Sequence, residues 1–174
     1  VQNGWIAVME KELQKDIYKG KVSPELNKKY GDDEATKSTT QAQAFLAENN
    51  VDAIISPTTV GIAAAGEVLT QAKSDIKLTG LGLPSEMLEY TGADDEHSCP
   101  YFYLWDMQGL GKLSALTTIA LINDEITGAA DETFTAGDLG DYTITAADDG
   151  STEVVLGAPL EFNPDNIEEM AKLY

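Results

Sequence analysis

Val51-Asp52-Ala53-Ile54-Ile55-Ser56-Pro57-Thr58-Thr59 runs straight into Val60-Gly61-Ile62-Ala63-Ala64-Ala65-Gly66-Glu67-Val68-Leu69. The first part is a short apolar run, and it reads as a strand that Pro57 stops. The second part predicts a helix from Thr59 to Lys73, whose small residues permit close packing on a sheet. A strand that feeds a helix in this way is the repeating unit of a parallel sheet.

The same alternation extends on both sides. Upstream, Trp5, Ile6, Met9, Leu13 and Ile17 recur near helical spacing, so Asn3–Tyr18 predicts an amphipathic helix closed by Gly20. Val22–Tyr30 is poor in β-formers and holds Pro24, and only Leu26–Tyr30 is expected as an edge strand. Asp32 and Asp33 open a second helix, with Ala35, Ala42, Phe45 and Leu46 on its apolar face and Asn49-Asn50 at its end.

Downstream, Ile76–Leu81 is the next strand and Pro84–Tyr90 a short helix. The acidic loop Thr91–Ser98 leads to the aromatic strand Tyr101–Trp105, and a long helix follows Asp106 to about Asn123. The last third differs. Tyr142–Thr145 and Glu153–Leu156 flank Asp148-Asp149-Gly150 and predict a hairpin. Pro164 is expected in the first turn of a terminal helix. The expected fold class is therefore α/β: a three-layer α-β-α arrangement on a mainly parallel sheet, with a C-terminal β-hairpin segment.

The chain has 174 residues, enough for a real hydrophobic core, and 43% of them are hydrophobic. No apolar run approaches the ~20 residues that cross a bilayer. Acidic residues outnumber basic ones 30 to 11, a net charge of −19. Such a surface repels phosphate backbones and anionic lipid, which argues against nucleic-acid binding. One cysteine, Cys99, and one histidine, His97, are too few for the four-ligand sets of structural zinc, so no metal and no cofactor are expected. No nucleophile elbow and no phosphate loop are present, and the chain is not expected to be an enzyme. Val1 is neither Met nor the start of a signal peptide, and the expectation is a piece of a longer protein.

In open α/β sheets, ligands bind beyond the carboxyl ends of the strands. The predicted strands end at Ser56-Pro57-Thr58-Thr59, at Gly82-Leu83-Pro84-Ser85 and at Trp105-Asp106. Trp105 offers an aromatic plate for the apolar face of a sugar ring, and the Asp106 carboxylate can accept from two hydroxyls at once. Asp106 is equally suited to cap the helix that follows, and the two roles are compatible. Gly109 and Gly111, inside that helix, are expected to allow close packing.

Several stretches in matching order resemble the type I periplasmic binding proteins, and among them the rhamnose-binding subgroup, which is similar to receptors for autoinducer-2. They are Gln2-Asn3-Gly4-Trp5-Ile6, Tyr30-Gly31-Asp32-Asp33-Glu34, Lys37-Ser38, Ser56–Ala65, Thr79–Met87, Leu104-Trp105-Asp106 and Phe162–Ile167. The resemblance covers nearly the whole chain. It implies a C-terminal lobe of a two-lobe receptor that closes on a small sugar such as rhamnose and presents it to the membrane permease of an ABC transporter. By position it implies ligand contacts at Gln2, Pro57, Thr58, Thr59, Trp105 and Asp106. Val1 stands where the family carries Asp or Asn, and the Thr91–Tyr101 loop departs from the family pattern. The implied location is periplasmic or extracytoplasmic, with a lipoprotein anchor compatible. Residues 1–174 then read as one lobe. The helix over 107–124 is expected to pack on an N-terminal lobe outside the chain, or the chain fills its gaps by self-association. Another reading keeps the fold: the ligand-sensing lobe of a sugar-responsive transcriptional regulator.

Overall fold

The computed structural model describes residues 2–48 and 50–174. Val1 and Asn49, the latter part of the expected helix end, lie outside the described residues. In chain order the elements are α1 (Gln2–Leu13), α2 (Ala35–Leu46), β1 (Ala53–Ser56), α3 (Thr59–Ala72), β2 (Lys77–Gly80), α4 (Pro84–Met87), β3 (Phe102–Leu104), α5 (Met107–Ile122), β4 (Thr133–Thr135), β5 (Asp141–Ala146), β6 (Thr152–Val154), β7 (Leu160–Phe162) and α6 (Ile167–Met170). The chain is α/β, and it divides into two units, 1–104 with 161–174 and 105–160.

In the first unit β1 and β2 pair in parallel, from Ala53 opposite Lys77 to Ser56 opposite Gly80. A parallel bridge between Leu81 and Tyr103 carries the sheet on to β3, and β7 lies beside β3. Side chains alternate across a strand, so one face collects Ile54, Leu78, Phe102, Leu104 and Phe162, all buried. Against it lies α3, which buries Ile62, Ala64, Ala65, Val68 and Leu69. Each large side chain taken out of water there contributes roughly 1.5–3 kcal/mol. The Phe102 and Phe162 rings lie 5.2 Å apart, and Tyr174 meets Phe162 edge-on at 6.1 Å. The other face of β1 is open, with Ile55 50% exposed.

Several expectations shift here. The first helix stops at Leu13, and Asp16–Tyr18 forms a separate 3-10 turn. Among the described residues no strand forms over Leu26–Tyr30, because no neighbouring strand pairs with that backbone. Asp32 and Asp33 do not begin α2. Both adopt left-handed backbone (φ 53° and 57°), which Asp tolerates, and Glu34 caps the helix by accepting from the Lys37 amide at 2.8 Å. Lys37 reaches back to form an ion pair with Asp32. Pro164 lies in the turn before α6, outside its first turn.

In the second unit β4, β5 and β6 form an antiparallel sheet. The β5–β6 pairing sets Ile144 opposite Val154 around the Asp148-Asp149-Gly150 turn, the expected hairpin. Its core joins Leu113 and Ala120 of α5 to Ile126, Phe134, Ala136 and Ile144. Elsewhere on α5, Met107, Leu110, Ile119, Leu121 and Ile122 remain exposed.

The loop into this sheet is organised by one carboxylate. Glu132 accepts from the Thr127 amide (2.8 Å) and hydroxyl (2.9 Å), the Gly128 amide (3.0 Å) and the Ala129 amide (3.1 Å). These donors, the Thr127 amide first, hold its carboxyl below the ordinary value of 4.5. A depressed carboxyl adds stability that is present above the unfolded value and is lost as pH falls through the folded one. Glu132→Gln is therefore expected to lower the urea midpoint at pH 7. The gap from the parent protein should begin to narrow as pH falls below about 4.5 and narrow further through the lower folded value. Urea titrations at pH 7 and pH 3.5 check this, and a constant gap would contradict it.

Candidate functional site

The end of β1 carries the first group of candidate residues. Ser56 is the last paired residue, Pro57 ends the strand, and Thr58 turns the chain with extended backbone (φ −141°, ψ 146°). Thr58 caps α3: its Oγ1 accepts from the Gly61 amide at 2.9 Å. Pro57, Thr58 and Thr59 are all half-buried at this strand-to-helix corner. Pro57 lacks an N–H and presents only its carbonyl. Thr59 begins the helix, where first-turn amides have no intrahelical acceptor and the helix dipole favours electron-rich groups. A carbonyl, a hydroxyl and helix-start amides together can satisfy both the donating and the accepting side of a sugar hydroxyl.

The second group begins the second unit. Asp106 caps α5, its Oδ1 accepting from the Gly109 amide at 2.9 Å and its carbonyl from the Leu110 amide at 2.9 Å. An ionised carboxylate has about four lone-pair directions, so capping leaves acceptor capacity. Trp105 is 42% exposed, with its indole N–H directed to the Met107 sulfur. That bond fixes the ring and leaves a broad apolar surface. Gln2, at the start of α1, is exposed.

The structure thus places Pro57–Thr59 together at one strand end, and Trp105 with Asp106 at another. The sequence reading missed two glycines. Gly109 was expected to allow close packing, and what meets it most closely is a side chain of its own helix cap. A Cβ there would lie 2.4 Å from Asp106 Oδ2, so the carboxylate itself occupies that space. Gly61 does the same at α3, where a Cβ would lie 2.6 Å from Ser56 Oγ and 2.7 Å from Thr58 Oγ1. Gly111 faces open space. The signal was the shared spacing, cap then glycine three residues on.

The remaining reactive side chains offer little chemistry. His97 Nδ1 lies 2.6 Å from Asp94 Oδ1, and the imidazole beside it holds the Asp94 carboxyl below its usual range. Cys99 is buried, and burial pushes its thiol up to about 12, so it is not a thiolate at neutral pH. Among the described residues no cluster of three or more His, Cys, Asp or Glu could hold a metal ion. No described helix is long and apolar enough to cross a membrane.

Residues 1–126 match the family model described as periplasmic binding protein domain. Among solved structures, an ABC transporter solute-binding protein from Clostridium phytofermentas with bound L-rhamnose is 50% identical over 99% of this chain and 56% of its own, with a TM-score of 0.83. A sugar ABC transporter protein from Actinomyces odontolyticus is 43% identical over 97% of this chain and 52% of its own, with a TM-score of 0.81. LsrB from Clostridium saccharobutylicum in complex with AI-2 has a TM-score of 0.74 over 97% of this chain and 54% of its own, and at 19% identity it speaks to the fold alone. No curated protein sequence matches the chain. The chain spans about half the length of the solved structures it matches. With a family match over residues 1–126 and an α/β architecture shared with these structures, the chain belongs to the periplasmic binding protein family and has its type I fold.

Proposed function

We propose that this chain is one lobe, mostly the C-terminal one, of a two-lobe sugar receptor that serves an ABC importer. Its ligand is a small sugar of the rhamnose type, held between two lobes. The observation that carries this reading is the 50% identity, over 99% of the chain, to a solute-binding protein with L-rhamnose bound. The residue types suit it, with each role below proposed. Asp106 accepts from neighbouring sugar hydroxyls, Trp105 covers the apolar face and deoxy methyl of the ring, and Pro57 and Thr59 bond the remaining hydroxyls. Thr58 holds the corner in shape, and Gln2 adds an amide. None of these roles forms or breaks a covalent bond, so the protein binds and releases its ligand unchanged.

The exposed apolar residues of α5 support a second lobe that covers them in the full-length protein, and the open face of β1 at Ile55 supports further packing there. Closure of two such lobes on the sugar presents the loaded receptor to a membrane permease. That role places the protein outside the cytoplasmic membrane.

A substitution at Asp106 separates capping from binding. Serine caps a helix about as well as aspartate but offers one neutral hydroxyl in place of a charged acceptor with two oxygens. Asp106→Ser in the full-length protein is expected to keep the urea midpoint and weaken L-rhamnose binding on the order of 100-fold, the loss expected for hydrogen bonds to a charged acceptor. Isothermal titration beside urea unfolding makes the test. Unchanged affinity would remove Asp106 from the site.

A further inference from the structure

Resting on the sugar-receptor reading, we propose that Gly109 is a positioning residue for sugar binding: its missing side chain is what lets the Asp106 carboxylate lie across the first turn of α5. Glycine inside a helix is less favourable than alanine by roughly 1 kcal/mol. Gly109 is nevertheless buried at the third position of the long helix α5. The space its Cβ would fill is taken by one group: Asp106 Oδ2 at 2.4 Å, Cγ at 2.9 Å and Oδ1 at 3.5 Å. The three heavy atoms nearest to that space all belong to the Asp106 side chain, so a methyl group there meets the carboxylate first.

The consequence is directional. With glycine, Asp106 folds over the helix start and bonds the Gly109 amide at 2.9 Å. With alanine, the methyl group displaces Oδ2 and rotates the carboxylate, although charge and chain length stay the same. A bidentate sugar contact tolerates little rotation of its acceptor, because both hydroxyls must be met at once. The corner at α3 repeats the arrangement independently, since Gly61 leaves room for Ser56 Oγ and Thr58 Oγ1. The helix after Pro57 and the helix after Trp105 thus each carry a cap followed three residues later by glycine (Thr58 to Gly61, Asp106 to Gly109), whereas Gly111 meets nothing within 4 Å.

The experiment is a double-mutant cycle in the full-length protein, read by L-rhamnose titration and by urea unfolding. Gly109→Ala is expected to weaken L-rhamnose binding at least tenfold with a small change in urea midpoint, because the gain in helix propensity offsets the disturbed cap. Gly111→Ala is the control and should leave affinity unchanged. In an Asp106→Ser background, adding Gly109→Ala should cost no further affinity, because the group it moves is gone. Full affinity in Gly109→Ala, or an equal loss in both backgrounds, would overturn the proposal.

A ligand-free measurement keeps the two ideas apart. The carboxyl carbon-13 titration of Asp106 should differ between parent and Gly109→Ala. If the parent protein fails to bind L-rhamnose, the sugar reading falls. An Asp106 titration unchanged by Gly109→Ala would then still overturn the positioning role.

Discussion

Gly80→Ala is expected to destabilise the first unit by roughly 1.5–4.5 kcal/mol, the largest effect expected of a methyl group added at any described glycine. Gly80 has φ of 147°, a conformation that side chains rarely adopt. A Cβ there would lie 1.9 Å from the Ser56 carbonyl oxygen and 2.6 Å from its carbon. Those are backbone atoms of β1, so no side-chain rotation relieves the clash. Relief requires β1 and β2 to part at the end where Ser56 faces Gly80, and it breaks the bond from the Leu81 amide to the Ser56 carbonyl (2.9 Å). Strain of ~1–3 kcal/mol and the lost hydrogen bond act together. Urea unfolding measures the loss, with Gly4→Ala, where a Cβ meets nothing, as control. A loss below about 0.5 kcal/mol, the scale of ordinary surface changes, would show that the β1–β2 corner is wrong.

Phe102→Ala is expected to cost roughly 3–5 kcal/mol. Its side chain is fully buried and packs on Phe162 at 5.2 Å. Phe162 belongs to β7, which follows the second unit in the chain, so this ring pair fastens the returning segment to the sheet. Truncation leaves a cavity under both. Ile55→Ala, on the open face of β1, should cost well under half as much. Equal losses at the two positions would contradict the assignment of faces. A loss on the Phe102 scale takes up a large share of the ~5–15 kcal/mol that holds a typical domain, so Phe102→Ala should also broaden or abolish cooperative unfolding.

The alternation of strand and helix was legible because each signal was local. Ile54 and Ile55 ahead of Pro57, the small residues after Thr59, and the turn at Asp148-Asp149-Gly150 each signal their element within a few residues. Leu26–Tyr30 was not legible, because a strand exists only where a neighbour pairs with it, and pairing is not written in the segment. The start of α2 shows the same limit. Asp32, Asp33 and Glu34 all suit a helix start, and only backbone geometry reveals that the two aspartates turn left-handed while Glu34 caps. At the candidate site, residue types pointed to Pro57–Thr59 and Trp105-Asp106 as strand ends. The roles of Gly61 and Gly109 were hidden, because a glycine shows in sequence only that a side chain is missing and not which group fills its place.

As proposed, the chain belongs to a receptor for a small sugar. Isothermal titration of the full-length protein tests it most directly, with L-rhamnose, ribose and autoinducer-2 compared under one set of conditions. Saturable one-site binding of L-rhamnose, tighter than that of the other two, is the expected result. No heat with L-rhamnose from a protein that unfolds cooperatively would contradict the sugar assignment, while the family and the fold would stand.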